Sequence, residues 1–498
     1  MNKLLLLIPL FILTMAGFAQ QNLAWSIDYE TWDNNGQPSL FINCGADDLF
    51  NAGEEITIEL WIRAYTFAEN RKVLGKIVYY DPIDNGYVLG FENLHVYAEY
   101  LNPTLQQVPR PGDGPMPADS AYVHMVTTYS SATGNIKNYV NGILTGETTM
   151  FPSDPIVDND APFIIGNAPW DTVSFQFYGD LDEVRVWDQA KTQAEIQQSM
   201  HVELEGTETG LVAYYNFNEA DGANVPDKSA NQFDGTLSNY DHISTSFAPS
   251  GAPVGDLTMA SMQDVGAIWY RNEENFHRIV TDHGITIISD LQEKDFRKYL
   301  VEGHNGATGV TTDNTPIINP AGFQRTAREW YINCSNNFWG GLTVTLDEAQ
   351  FNNGFPDDAS MDNYALLYRE NESDPYTSIM HPTSPFTGIL QFNNCHFASG
   401  YYAVGYSTEA FEIQDPNAID ESVFAHVNIS PNPVVSNLQI KGIPPYTQVI
   451  LFNICGKEII NQRLNNNSLD LSQLKEGVYI LKLQHSNQIS THKIIKNN

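Results

Sequence analysis

Residues able to do chemistry are scattered along this chain. The densest acidic run is Asp180-Leu181-Asp182-Glu183, which leads straight into Val184-Arg185-Val186-Trp187. Paired catalytic carboxylates would share a face two residues apart on a strand, but this cluster belongs to the Val-Arg-Val-Trp strand and not to a catalytic one. The sequence has no His-Glu-x-x-His, no Gly-x-Ser-x-Gly and no Walker loop. Gly303-His304-Asn305-Gly306-Ala307-Thr308-Gly309 is glycine-rich but lacks the lysine and strand-to-helix setting of a phosphate cradle, and reads as a loop. His277 and His283 offer two ligands where zinc takes about four, so packing or surface roles fit better. Arg325, Arg328 and Trp330 make an arginine-rich patch that could grip a carboxylate in a fork. Pairing with local Asp or Glu is the simpler reading.

Sugar recognition is the other chemistry these residue types allow. A sugar presents a CH face to an exposed aromatic ring and a ring of hydroxyls to Asn, Asp or Gln. Trp170, with Asn167 and Asp171 in the same loop-like segment, fits that demand, and Tyr97 and Tyr100 are further candidates. Trp61 and Trp187 lie in alternating apolar runs and read as core. Cys334 and Cys395 fall in one region, each near a strand, and are expected to form a disulfide if the chain is exported. Spacing alone does not decide connectivity. Cys44 and Cys455 read as small buried residues.

The elements that must position these residues are framed by composition. The chain has 498 residues, 25 Lys plus Arg, 60 Asp plus Glu, and a net charge of −35. Nucleic acid and anionic lipid both require basic patches, so neither is expected as a partner. A hydrophobic content of 42% with 12% aromatics argues for ordered domains, about three by length. Residues 1–19 carry Lys3, an apolar run Leu4–Met15 and the ending Ala16-Gly17-Phe18-Ala19. That is the layout of a secretory signal peptide cut after Ala19, and it is shorter than the roughly 20 residues a membrane-spanning helix needs. No transmembrane segment is expected in the mature chain.

From residue 20 to 250 the pattern is all-β. Ile56-Thr57-Ile58-Glu59-Leu60-Trp61-Ile62 alternates like a strand, and Asn141-Gly142 between Tyr139-Val140 and Ile143-Leu144 predicts a hairpin. Thr192 with Glu195 predicts a capped helix from Thr192 to Met200. Residues 251–256 read as a linker. A second β-rich module follows over 257–412, with strand-like runs at Ile285–Ile288, Leu342–Leu346, Tyr364–Tyr368 and Tyr401–Gly405. Residues 413–426 read as another linker, and a last small β module occupies 427–498. From Pro431 onward seven basic residues face three acidic ones, an excess of +4 that leaves −39 on the remainder. This asymmetry suggests a separate partner for the tail.

Several of these runs carry a resemblance. Ile58-Glu59-Leu60-Trp61-Ile62, Tyr139-Val140-Asn141-Gly142, Gly179–Trp187, Gly210–Phe217 and Asp227-Lys228-Ser229 resemble, in order, the landmark strands and loops of laminin-G-like, concanavalin A-like jelly rolls. The run from Ile429-Ser430-Pro431-Asn432-Pro433 through Gly477-Val478-Tyr479-Ile480-Leu481-Lys482 to Lys493–Lys496 resembles the C-terminal sorting domain of the type IX secretion system, a Bacteroidetes export route. The middle module is similar only in style to β-rich modules of secreted proteins from that group.

The first resemblance implies a jelly-roll sandwich. It also implies a structural calcium held by Asp182 and by backbone near Cys44-Gly45, since calcium gathers hard oxygens. Asp182 could instead only cap a strand end or pair with an arginine. Hydrolases of that superfamily carry Glu-x-Asp-x-x-Glu on one strand, and this sequence has no such run. No catalytic residue is therefore assigned. The second resemblance implies export through the type IX machinery and removal of the tail at the cell surface. Together they imply a secreted or outer-surface, non-catalytic protein that binds a glycan or a surface protein. A structural matrix component, or an enzyme with its site in the middle module, are the alternatives.

Overall fold

Ile56, Ile58, Leu60 and Ile62 alternate with Thr57, Glu59, Trp61 and Arg63, which forces a strand with two different faces. The computed structural model places Glu55–Ala64 in one. The structure describes residues 22–27, 40–65, 69–78, 85–92, 95–101, 121–149, 156, 158–170, 175–238, 246–269, 278–280, 285–289, 297–313, 316, 320–335, 338–345, 355, 360–384, 389–414, 427–441, 448–453, 457–463, 468–485 and 488–497. The chain divides into two compact units, residues 1–412 and 413–498.

The first part of the larger unit is a jelly roll. Its elements are β1 (Leu23–Ile27), β2 (Ile42–Asn43), β3 (Glu55–Ala64), β4 (Arg71–Val78), β5 (Asn85–Glu92), β6 (His95–Leu101), β7 (Val123–Ser130), β8 (Asn135–Val140), β9 (Ile143–Thr149), β10 (Ile164–Ile165), β11 (Gly179–Trp187), helix α1 (Gln193–Ser199), β12 (Leu211–Tyr215), β13 (Asn224–Val225), β14 (Gly235–Leu237) and β15 (Ser246–Pro249). One sheet, the back sheet, runs β15-β1-β11-β3-β7-β8-β9 with β12 beside β11. The front sheet runs β13-β14-β2-β10-β4-β5-β6. Ile58, Leu60, Met125 and Leu181 from the back sheet meet Ile42, Leu74, Leu89 and Ile165 from the front sheet in one apolar core.

Local signals behave as their chemistry requires. Asn141 (φ 50°) and Gly142 (φ 72°) are both left-handed, as a two-residue hairpin turn between β8 and β9 demands. Thr192 and Glu195 form the expected reciprocal cap on α1. Ile196 of that helix packs on Val126 and Tyr139, outside the back sheet.

Residues 257–412 form a second sandwich with its own core of Ile268, Ile287, Leu300, Trp330, Leu342, Leu366 and Phe392. It does not hang from a linker. Ala252 and Val254 are buried, and Val202 bridges Gly255 in parallel. Residues 251–256 are thus a packed strap, because an apolar Ala-Pro-Val stretch gains more from burial than from exposure. Around the strap, Trp61, Tyr122, Met200 and Val202 of the jelly roll pack against Met259, Trp269, Tyr299, Val301 and Tyr331 of the second sandwich. Trp61 and Trp269 meet edge to face at 5.4 Å.

The expected Cys334–Cys395 disulfide is not formed; both thiols are free. Cys334 lies on strand Trp330–Cys334 of one sheet and Cys395 on strand Ile389–Phe397 of the other. Each thiol has turned to its own backbone acceptor, Cys334 to the Phe397 carbonyl (3.5 Å) and Cys395 to that of Phe392 (3.3 Å). Cys44 is a buried free thiol, and Cys455 lies outside the described residues. The smaller unit is a two-sheet module whose core joins Val434, Leu438, Ile440, Leu451, Leu469, Leu481 and Ile494.

Candidate functional site

Two features of the jelly roll concentrate polar side chains. The first is a buried network on the outer face of the back sheet. Glu59 of β3 accepts from Trp187 Nε1 (2.8 Å), sits 3.8 Å from Arg185 Nη1 and lies 3.3 Å from His124 Nε2. Arg185 also pairs with Glu183, and its guanidinium donates to the carbonyls of Ser199 (3.0 Å) and Val202 (2.6 Å). Tyr214 donates to Glu183 at 2.8 Å. The Lys191 ammonium stands 3.3 Å over the Trp187 ring. Burial alone would raise the Glu59 pKa, but His124 and Arg185 outweigh it and bring the carboxyl down to about 2. Burial holds His124 below its ordinary value. The arrangement clamps the segment after α1 onto the sheet.

A bulge between Asp182 and Arg185 makes this possible. Glu183 adopts φ 53°, so the strict alternation breaks there and Asp182 and Glu183 both turn away from the core. Burial, reinforced by the neighbouring Glu183 charge, pushes the Asp182 carboxyl well above its usual range. Its oxygens accept from the Glu183 amide (2.8 Å) and the Ser250 hydroxyl (2.5 Å). Gly45 follows β2 of the opposite sheet, exposed at φ 85°, with its carbonyl taken by the Phe163 amide (2.7 Å). Asp182 and Gly45 therefore belong to different sheets. The Asp182 oxygens and the Gly45 carbonyl already accept hydrogen bonds, and no calcium chemistry is derived from them.

The expected sugar-binding trio also separates. Asn167 is fully buried; its amide donates to Gln176 Oε1 (3.1 Å) and its carbonyl accepts from the Ala168 amide (2.8 Å). A side chain so enclosed is a loop brace, not a ligand contact. Trp170 is half-buried and packs on Ile77, Val88 and Leu101, with the Phe175 ring 5.8 Å away. Asp171 lies outside the described residues, as does the side chain of Tyr97. Tyr100 is core and donates to Thr127. In the second sandwich, Arg325 pairs with Glu329, as does Arg369, and both flank the Tyr376 ring, while Arg328 donates to the Ala307 carbonyl (3.1 Å).

The second feature is a cleft of 540 Å³ on the outer face of the front sheet, lined by Phe41, Asn43, Cys44, Gly45, Asp234, Thr236 and Ser238. Register explains its walls. Ile42 and Leu237 point inward and pair, while Asn43 pairs with Thr236 on the outside. Phe41 and Ser238 are tied by two hydrogen bonds, one from the Phe41 amide to the serine hydroxyl (2.9 Å). Asn43 spends its carbonyl on the Gly45 amide (2.9 Å), and Asp234 spends one oxygen on the Asp227 amide (3.0 Å). Among the described residues, nothing takes Asn43 Nδ2, the Thr236 hydroxyl or the second Asp234 oxygen. Three groups able to bond hydroxyls thus converge beside a half-buried aromatic ring. Gly235 must be glycine, since a Cβ there would lie 2.4 Å from Ile42 Cγ2.

Comparison with known proteins fits this architecture. Residues 35–197 match the family model of the concanavalin A-like lectin/glucanases superfamily, and residues 428–497 match that of the secretion system C-terminal sorting domain. The chain carries a lectin-like jelly roll and a type IX sorting tail. The tail indicates a secreted or cell-surface protein. No helix among the described residues is long and apolar enough to cross a membrane. No curated protein matches the chain. Among solved structures, a Bacteroides ovatus protein assigned to carbohydrate binding shares 20% identity at a TM-score of 0.35; the match covers 46% of this chain and 61% of that one. The heptameric SAP-like pentraxin of Limulus polyphemus shares 13% identity at 0.29, over 36% of this chain and 83% of its own. The CBM40 module of Ruminococcus gnavus IT-sialidase, bound to α2,3-sialyllactose, shares 19% at 0.26, over 29% and 82%.

Proposed function

We propose that the protein is a secreted, non-catalytic carbohydrate-binding protein, exported by the type IX machinery through its tail. The glycan sits in the front-sheet cleft. One observation carries this reading: Asn43, Thr236 and Asp234 present unused hydrogen-bonding groups next to Phe41, on a jelly roll whose other outer face is packed along β3, β7 and β11. An amide donor, a hydroxyl and a carboxylate acceptor match the mixed donors and acceptors of a sugar. Phe41 supplies the apolar surface for its CH face.

The test is binding of the secreted chain to a glycan array, followed by variants. Asn43→Ala and Thr236→Ala are each expected to weaken the best ligand up to about tenfold, the worth of one hydrogen bond. Trp170→Ala is expected to lower stability while leaving that affinity in place. Absence of binding to any glycan, or hydrolysis of a bound one, would overturn the reading.

A further inference from the structure

We infer that the cleft selects uncharged saccharides and rejects acidic ones, an inference that rests on the binding reading above. Of its lining residues, Phe41, Asn43, Cys44, Gly45, Asp234, Thr236 and Ser238, the one charged member is Asp234. A carboxylate accepts hydrogen bonds and donates none, so it demands a hydroxyl or amine from its ligand. A sialic or uronic acid would bring a second carboxylate to the same cleft, where like charges repel.

Recognition of an acidic sugar normally needs a guanidinium or ammonium aimed at it. The cations of β4 on this sheet are committed elsewhere. Arg71 pairs with Glu69 and lies 5.0 Å over the Tyr178 ring. Lys72 donates to Asn70 (2.8 Å) and faces the Phe175 ring. Lys76 donates to the Ala161 carbonyl (2.6 Å). The net charge of −35 adds a long-range field of the same sign. Neutral hexose or amino-sugar hydroxyls meet none of this opposition.

The experiment uses the secreted chain on N-acetyllactosamine and cello-oligosaccharides, printed bare and capped with sialic or glucuronic acid. Capping at the contacted end is expected to cut binding by about tenfold or more at low salt, and less as salt screens the repulsion. Asp234→Asn keeps the acceptor that Asp227 needs and removes the charge. It is expected to bring the capped and bare forms to within a few-fold of each other. Equal or tighter binding of capped glycans by the parent chain, unchanged in Asp234→Asn, would overturn the inference and leave the binding reading standing. If neither class binds, the binding reading fails and this inference falls with it.

Discussion

Glu302 is a carboxylic acid buried without hydrogen-bond partners. It lies on the core-facing side of strand Tyr299–His304 beside Leu300, 1% exposed, and neither carboxylate oxygen has a hydrogen-bond partner. Burial first, and the Asp264 charge second, push its carboxyl from 4.5 up to about 8. Its contribution to stability is therefore full below about pH 4.5 and is lost as pH rises toward 8. Each unit in that window costs about 1.4 kcal/mol. Thermal melts across this range should show Glu302→Gln gaining on the parent as pH rises and merging with it in acid; parallel curves would refute the assignment. Glu59 makes the opposite case. Its charge is matched by Arg185 and served by Trp187, so Glu59→Leu leaves a buried guanidinium half-compensated. We expect a loss of about 3–5 kcal/mol in denaturant unfolding. Neither environment was legible in the sequence. Alternation marks which residues share a face, but not that a bulge at Glu183 turns two neighbouring acids outward together.

At the scale of elements, local chemistry was readable and distant pairing was not. The Asn141-Gly142 turn and the Thr192–Glu195 cap are set by residues within a few positions of each other. The alternation of Phe41-Ile42-Asn43-Cys44 and of Asp234-Gly235-Thr236-Leu237-Ser238 was equally visible, yet each is an ordinary strand pattern alone. Their pairing across the front sheet creates the cleft, and no short-range signal states that register. The same dependence on register makes Gly179 sensitive. At φ 143° it opens β11, and a Cβ there would come within 2.0 Å of the Arg63 carbonyl on β3. Gly179→Ala must prise apart two central strands and should cost about 3 kcal/mol or more by overpacking. Thr192→Ala, which loses only a helix cap, should cost about 1 kcal/mol. Side-by-side urea titrations would check that order.

For the whole molecule, the sequence located three β regions, the last of them basic, but the border at residues 251–256 misled because a Pro/Gly-containing strap can be buried as well as exposed. The larger unit folds as one, with the second sandwich seated on Trp61, Tyr122, Met200 and Val202. A fragment ending at residue 256 would expose that apolar surface. It should aggregate or bind a hydrophobic dye, whereas a fragment ending at residue 412 should run as a monomer in size-exclusion chromatography. Equal behaviour of the two would show the contact to be dispensable.

The partly covered back sheet has a consequence for strength of attachment. If glycans bind as proposed, a jelly roll whose back sheet is packed in part against its neighbour offers a polymer a single hand, the front-sheet cleft. Grip on a repetitive polysaccharide would then come from how densely copies are displayed, through avidity. A surface crowded with this protein would hold what a lone released molecule lets go.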